Sequence, residues 1–116
     1  MIKTKNDLKS ITVNGLREGI GIINITHLLS LEELKNKGKL FGKLELEINS
    51  SIGFHKHIDD FEVYYILKGK GLVKDNKANY IVEEGDVIYT TSGESHSLTN
   101  IGENKLELLA VVINLE

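Results

Sequence analysis

Four side chains in two short segments of the chain have the right chemistry for a shared metal site. Imidazole nitrogens and carboxylate oxygens bind divalent transition metals, with metal–nitrogen bonds of about 2.0–2.1 Å. One segment carries two histidines separated by a single residue, with a glutamate five positions further on, and the second segment carries another histidine. We predict one metal site whose protein ligands are His55, His57, Glu62 and His96.

The spacing of the first two histidines suits a β-strand. Positions i and i+2 of a strand point to the same side and lie about 6.5 Å apart, so His55 and His57 are able to converge on one ion. Lys56 then points to the opposite face, where its charge does not compete with the cation.

Glu62 lies at an odd offset from His57, which would place it on the wrong face of one unbroken strand. A turn must therefore intervene, and Asp59-Asp60 is a suitable turn sequence. In a tight hairpin Glu62 would lie opposite His57 and share its face. A corner between two sheets would also return Glu62 to the same interior, and the sequence leaves both arrangements open.

His96 follows a glycine-containing turn at Gly93, so it is placed to approach the site from another wall. Each residue alone also has a simple structural interpretation. A lone His-x-His is commonly a surface feature, Glu62 a surface carboxylate and His96 a turn residue. It is their joint pattern that indicates a metal site.

The elements that must position these residues are mostly strands. After residue 39 the chain is β-forming, with short strands punctuated by Gly, Asn and Asp, which favours a sandwich or barrel. The last strand, 106–115, is almost continuously apolar and is expected to be buried on both faces. The segment Ile20–Ile25 is a further strand, and a Ser30–Glu33 capping box predicts one short helix that ends at Gly38. Residues 1–10 are expected to be loosely held. The other predicted strands are 40–48, 53–58, 62–67, 72–74, 79–82 and 87–90.

Composition limits the classes of function. The chain has 116 residues, 41% of them hydrophobic, and a net charge of -3, which fits one globular domain and argues against nucleic-acid binding. It has no cysteine, which excludes disulfides and thiolate metal ligands. No stretch approaches the roughly 20 apolar residues that span a bilayer, and the N-terminus lacks an apolar leader core. We expect a soluble, cytoplasmic protein that binds no membrane.

The first segment resembles the first sequence motif of the cupin superfamily. That motif runs His-x-His, three or four residues, Glu, six residues, Gly, and His55, His57, Glu62 and Gly69 match each step. The glycine that usually precedes it has no match, because Asn49 stands at the expected position.

The second segment is similar to the second cupin motif, which runs Gly, five residues, Pro-x-Gly, two residues, His, three residues, Asn. Gly85, Gly93, His96 and Asn100 match, whereas Thr91 replaces the proline. This replacement removes some rigidity from the turn but no ligand. The resemblance covers roughly residues 38–113.

The resemblance to a small single-domain cupin implies an all-β fold, a cupin jelly-roll β-barrel (double-stranded β-helix) with one short N-terminal helix. We expect one domain over residues 1–116, with the core barrel at about 38–113 and the N-terminal strand and helix at about 18–38. It also implies one divalent Mn, Fe, Zn, Ni or Co ion held by three His and one Glu. Such a site keeps coordination positions open, which suits catalysis or ligand capture.

Two functions remain open, together with a third interpretation in which the barrel binds no metal. The centre could act on or bind a small oxygen-bearing molecule, carboxylate or sugar-like, as a dioxygenase-like oxidoreductase, an isomerase or a lyase. Alternatively, it is a non-catalytic sensor or storage module for a small ligand or metal. Tyr64 and Glu94 are weak candidates for an acid or base. A barrel without metal would make the histidines dispensable for metal binding.

Two expectations concern parts of the chain outside the ligand set. Asn100 is expected to satisfy backbone groups of a turn. Small cupins usually pair, often by exchanging an N-terminal strand, so we expect a homodimer and take Ile20–Ile25 as the exchanged strand.

Overall fold

The structure, a computed structural model, describes residues 1–116 and contains ten β-strands in two antiparallel sheets. The six-stranded sheet has the order β1-β2-β3-β10-β5-β8, and the four-stranded sheet has the order β4-β9-β6-β7. The strands are β1 Lys9–Asn14, β2 Ile22–His27, β3 Gly38–Leu46, β4 Ser51–Lys56, β5 Asp60–Lys68, β6 Lys70–Asp75, β7 Asn79–Glu83, β8 Val87–Thr90, β9 Ser95–Asn100 and β10 Leu106–Asn114.

The core lies between the inner faces of the two sheets and confirms the predicted all-β jelly-roll barrel. Strands β3, β5 and β10 alternate buried and less buried residues, as strands with one face on a core do. Leu46, Leu106 and Leu108 are fully enclosed on the side of the six-stranded sheet, and Ile52 and Leu98 face them from the other sheet. No helix in the structure is long and apolar enough to cross a membrane.

Strand β10 corrects the expectation of burial on both faces. Its residues alternate between buried and partly exposed along most of its length. Glu107 is the one charged residue among the partly exposed positions before Asn114, whereas Leu109, Val111 and Ile113 at the following ones are apolar, so the outer face has only a weak polar signal in the sequence. The apolar run reflects a central strand between β3 and β5, with one face only partly covered.

The predicted helix after Ser30 does not form beyond one turn. The capping interactions are present, with the Glu33 amide 3.1 Å from Ser30 Oγ and the Ser30 amide 2.9 Å from Glu33 Oε1. However, Lys35 and Asn36 have φ of 53° and 63°, which ends the helical turn at once. The only helices are the 3₁₀ turns Lys5–Asp7 and Leu16–Glu18. The capping box therefore begins a single turn and not a helix, because tertiary packing directs the chain into β3 immediately afterwards.

The N-terminal segment is more ordered than expected. Residues predicted to be loosely held contain a 3₁₀ turn and the start of β1, which pairs with β2 along its whole length. The predicted strand Ile20–Ile25 corresponds to β2, Ile22–His27, which pairs with β1 on one side and β3 on the other. Because both edges of β2 are paired within the chain, the outermost strand at this end is β1. The homodimer itself stays a prediction.

Candidate metal centre

The first histidine pair lies at the end of β4, and His96 lies beside it on β9. His55 and His96 are direct register partners in the antiparallel β4–β9 pair. His57 is one residue beyond the end of β4, where its amide donates to Glu94 O at 2.9 Å and its carbonyl accepts from the Gly93 amide at 2.7 Å. The three imidazoles therefore approach one point from the same sheet. Strand β9 was not predicted, although it carries one of the predicted ligands.

Glu62 reaches the same point from the opposite sheet. It lies on β5, which pairs with β10 and β8 and not with β4. The Asp59-Asp60 turn is thus a corner between the sheets, and the alternative of a tight hairpin is wrong. Asp59 has φ of 59°, a left-handed conformation that turns the chain across the barrel.

The ligand atoms of the four predicted residues converge within 4.8 Å of one another. Glu62 Oε1 lies 3.0 Å from His57 Nε2, 2.9 Å from His96 Nε2 and 3.8 Å from His55 Nε2. His96 Nε2 is 3.1 Å from the Nε2 atoms of both other histidines. Two atoms bound at right angles to one ion, each about 2.1 Å from it, lie about 3 Å apart. The cluster is therefore able to hold a divalent metal ion.

The outer ring nitrogens have partners that set the histidine tautomers. His55 Nδ1 donates to Gly53 O at 2.7 Å, and His57 Nδ1 donates to Asp60 Oδ1 at 2.8 Å. His96 Nδ1 is 2.8 Å from Thr90 Oγ1. With these protons on Nδ1, the neutral histidines direct their Nε2 lone pairs toward one another and toward a carboxylate. Such a concentration of lone pairs is unfavourable unless a proton or a metal cation lies between them.

Burial and charge act in opposite directions on this cluster. Burial works against ionisation of Glu62, but the imidazoles beside it, His57 Nε2 at 3.0 Å and His96 Nε2 at 2.9 Å, outweigh burial and hold its pKa well below the ordinary value. The hydrogen bond to Glu62 raises the pKa of His57 in spite of burial, whereas burial lowers the pKa of His96. The carboxylate is therefore charged at neutral pH. In the metal-free protein these opposite shifts favour a proton on His57 over one on His96.

The cluster forms part of the wall of a cavity of about 270 Å³. His55, His57 and Glu62 line it, together with apolar side chains that include Leu44 and Ile52. This volume lies just below the roughly 300–1,000 Å³ typical of ligand pockets, so it suits a molecule of a few heavy atoms. A wider groove of about 750 Å³ is lined by residues of β7 and β8, and it includes His96 but none of the other three candidate ligands.

Tyr64 and Glu94 occupy different positions relative to the cavity. Tyr64 is buried, lines the cavity and stacks on His96 with ring centroids 5.0 Å apart and planes 13° from parallel. Burial, reinforced by the nearby Glu62 charge, raises the pKa of Tyr64 well above 10, so its hydroxyl keeps its proton. Glu94 lies on an exposed turn and accepts a hydrogen bond from the Thr91 amide at 2.9 Å. It lines the wide groove and not the small cavity.

The turn residues of the two motifs have the conformations that their positions require. Asn49, which stands where cupins usually have glycine, has φ of 65°, a left-handed conformation that Asn tolerates better than most residues. Gly93, which precedes His96, has φ of 91°. The expected role of Asn100 is confirmed, because its amide nitrogen donates to the carbonyls of Leu46, Glu47 and Asn104, and its oxygen accepts from the Gly102 amide.

Several residues at the site were missed by the sequence analysis. Asp60 was assigned only to the turn, yet it binds His57 and Lys39, and Thr90 was not singled out although it binds His96. Arg17 lines the cavity from a distant part of the chain. One signal for Arg17 was available, since it is the only arginine in a chain with thirteen lysines. Nothing local marked Thr90, because its role depends on how β8 lies beside β9.

Comparison with known proteins agrees with this architecture. Residues 42–112 match the cupin domain family. The chain is 43% identical over 115 residues to a protein from Thermotoga maritima called an oxalate-binding protein, covering 99% of this chain and 95% of that protein. An uncharacterized protein of Methanocaldococcus jannaschii is 37% identical over 62 residues, which is 53% of this chain and 50% of that one.

Among solved structures, a predicted oxalate decarboxylase from Thermotoga maritima is similar with a TM-score of 0.94 and 43% identity, covering 99% of this chain and 100% of that one. More distant likenesses show the fold alone. One is the cupin domain of Cnp3 from Schizosaccharomyces pombe, with 18% identity, a TM-score of 0.71 and coverage of 79% and 61%.

Proposed function

The chain belongs to the cupin domain family, and on that premise we propose that it binds one divalent metal ion and, at that ion, a small carboxylate molecule. The protein ligands are His55, His57, Glu62 and His96. When bound, the metal supplies Lewis acidity and open coordination positions for an oxygen ligand.

The convergence of four candidate ligand atoms, with three of the four residues lining a small cavity, is the observation that carries this proposal. A structural metal site is closed by its protein ligands, whereas this one adjoins space for a second molecule. The donor set, three nitrogens and one carboxylate oxygen without thiolate, suits Mn, Fe, Co, Ni or Zn.

The chemistry of the cavity supports a carboxylate as the ligand. The cavity is small and is lined by two cationic side chains, Arg17 and Lys39, in addition to the metal ligands. A relative that covers nearly the whole chain is called an oxalate-binding protein, and we propose the same ligand class here.

Reversible binding is the primary proposal, and catalysis is the second candidate. Binding is favoured because the cavity offers few groups for proton transfer. Glu94 lies outside it, and Asp60 is held between His57 and Lys39. The catalytic alternative is a lyase or oxidoreductase acting on the carboxylate. It is favoured by Tyr64, which lines the cavity and keeps its hydroxyl proton. The catalytic alternative also agrees with the related structure described as a predicted oxalate decarboxylase.

The test begins with protein purified without added metal and without a metal-binding tag. Elemental analysis should find about one transition-metal ion per chain, and its identity decides among the candidate metals. Calorimetric titration with oxalate should show binding to metal-loaded protein and none after a chelator has removed the metal. Metal-free protein that cannot be loaded would contradict the proposal. Consumption of oxalate on prolonged incubation would instead support the catalytic alternative.

We also propose a homodimer. Ile11 on the outer strand β1 is 51% exposed although its register partner on β2, Ile25, is buried. An apolar residue left uncovered on an edge strand is a suitable contact for a second copy of the chain. Sedimentation equilibrium should give twice the chain mass, and a monomeric mass at micromolar concentration would contradict this.

A further inference from the structure

The only arginine of the chain lies at the mouth of the metal cavity. Arg17 belongs to the 3₁₀ turn Leu16–Glu18 and lines the cavity together with His55 and Glu62. Its side chain is exposed at this mouth and not enclosed among the core residues. A guanidinium matches a carboxylate with two parallel N–H donors, which the ammonium of a lysine does not offer.

The backbone that carries Arg17 is held in an unusual conformation. Arg17 and Glu18 have φ of 54° and 63°, and Gly15 before them has φ of 74°. Two consecutive left-handed residues with full side chains are rare and persist only where the surroundings impose them. Here the Glu18 amide donates to Gly15 O at 3.0 Å and the Gly19 amide donates to Leu16 O at 2.9 Å.

Close backbone packing fixes this turn against β4, next to a metal ligand. A Cβ added at Gly53 would lie 2.0 Å from Arg17 O, and one added at Gly19 would lie 2.1 Å from Ser51 O. The carbonyl of the same Gly53 accepts the proton of His55 Nδ1. The two glycines therefore let the turn approach β4 so closely that the backbone of Arg17 lies against Gly53, two residues before His55.

The two cations of the cavity differ in how they are used by the protein. Lys39 Nζ is 2.7 Å from Asp60 Oδ2, so its charge is already neutralised within the structure. The Arg17 side chain takes part in none of the ion pairs or side-chain hydrogen bonds of the chain. Its donors are thus free for a molecule in the cavity.

We propose that Arg17 determines ligand specificity by binding the second carboxylate of a small dicarboxylate whose first carboxylate binds at the metal centre. This inference rests on the proposed function. It predicts preference for a dianion such as oxalate over a monocarboxylate such as acetate, because only the dianion has a charged group left to meet the guanidinium.

The variant that tests this is Arg17→Asn, because Asn tolerates the left-handed backbone while it removes the guanidinium. Arg17→Lys keeps the charge without the paired donors. Lys56→Gln is the matched control. It removes one positive charge at an exposed position of β4 next to His55, and Lys56 does not line the cavity. Each metal-loaded protein is titrated with oxalate and with acetate, and its metal affinity and thermal midpoint are measured.

We expect Arg17→Asn to weaken oxalate binding about tenfold. This is toward the lower end of the affinity lost when charge-assisted hydrogen bonds are removed, because the Arg17 side chain is exposed. Acetate binding, metal affinity and the thermal midpoint should change little. Arg17→Lys should recover part of the loss, and Lys56→Gln should match the wild type.

Two results separate failure of this inference from failure of the proposed function. If the wild type binds oxalate and Arg17→Asn binds it within twofold as well, or loses oxalate and acetate equally, Arg17 does not determine specificity. If the metal-loaded wild type binds neither anion, the proposed function fails and this inference fails with it.

Discussion

Replacing Asp60 by Asn removes the charge that orients a metal ligand while it changes the shape of the side chain very little. Asp60 is buried, with Oδ1 2.8 Å from His57 Nδ1 and Oδ2 2.7 Å from Lys39 Nζ. Burial works against its ionisation, but the hydrogen bonds from Lys39 and His57 outweigh it, so its pKa lies below the ordinary value. The charged form is therefore present at neutral pH and makes His57 a stronger ligand.

The expected magnitude follows from these two contacts. An Asn oxygen can still accept from His57 Nδ1, but the amide nitrogen then faces the Lys39 ammonium, donor against donor. Because the Lys39 side chain is 56% exposed, it can turn into water, and the cost on that side is limited. The larger loss is the negative charge behind His57, and loss of such an outer partner lowers metal affinity about 10- to 100-fold, or about 1.4–2.7 kcal/mol.

The assay is a competition titration in which a chromophoric chelator and the protein compete for Zn²⁺ or Co²⁺. Asp59→Asn is the matched control, because it removes the same charge one residue away at an exposed position. Its φ of 59° is one that Asn also tolerates. If the metal affinities of Asp60→Asn and Asp59→Asn lie within twofold of each other, the reasoning that Asp60 acts through His57 is refuted.

Three further outcomes are expected. A His55→Ala, His57→Ala double variant should contain almost no metal by elemental analysis, and a metal content equal to that of the wild type would favour the reading of a barrel without metal. Because Glu62 raises the pKa of His57, metal must displace a proton, so apparent metal affinity should fall about tenfold per pH unit below that raised pKa. The same proton stabilises the metal-free fold at pH below 6.5, a contribution that is lost as pH rises through the raised pKa. A metal affinity that does not change with pH on either side of 6.5 would contradict the first statement, and an unfolding free energy of the metal-free protein that does not fall as pH rises above 6.5 would contradict the second. Gly53→Ala should lower the free energy of unfolding by at least about 2 kcal/mol because its Cβ meets the Arg17 carbonyl, whereas Gly102→Ala, with no neighbour closer than 3.5 Å, should stay within about 0.5 kcal/mol in the same denaturant titration.

The cluster also explains why metal binding and folding should be coupled. Three imidazoles and a carboxylate meet at distances of 2.9–3.8 Å inside the barrel. A cation that binds only this folded arrangement stabilises it, by about 2.7 kcal/mol at a free concentration of 100 times the dissociation constant. The cluster is thus at once the functional centre and a point where the two sheets are joined.

The sequence alone was sufficient to predict which four side chains cluster as candidate metal ligands. His55 and His57 share a face because of strand parity, and the spacing of Glu62 and His96 within two recognisable motifs identified the other two members. Most strands were also predictable, because alternation of apolar residues and the glycines at turns are local properties of the chain.

Tertiary structure alone decided how these pieces meet. The Asp59-Asp60 turn is compatible with a hairpin or a corner, and only the pairing of β4 with β9 and of β5 with β10 makes it a corner. The capping box after Ser30 predicts a helix that packing confines to one turn. Arg17 lies 38 positions before His55, and no periodicity relates them. Local spacing determines which face a side chain takes, whereas the choice of neighbouring strand depends on long-range packing that a single sequence does not display.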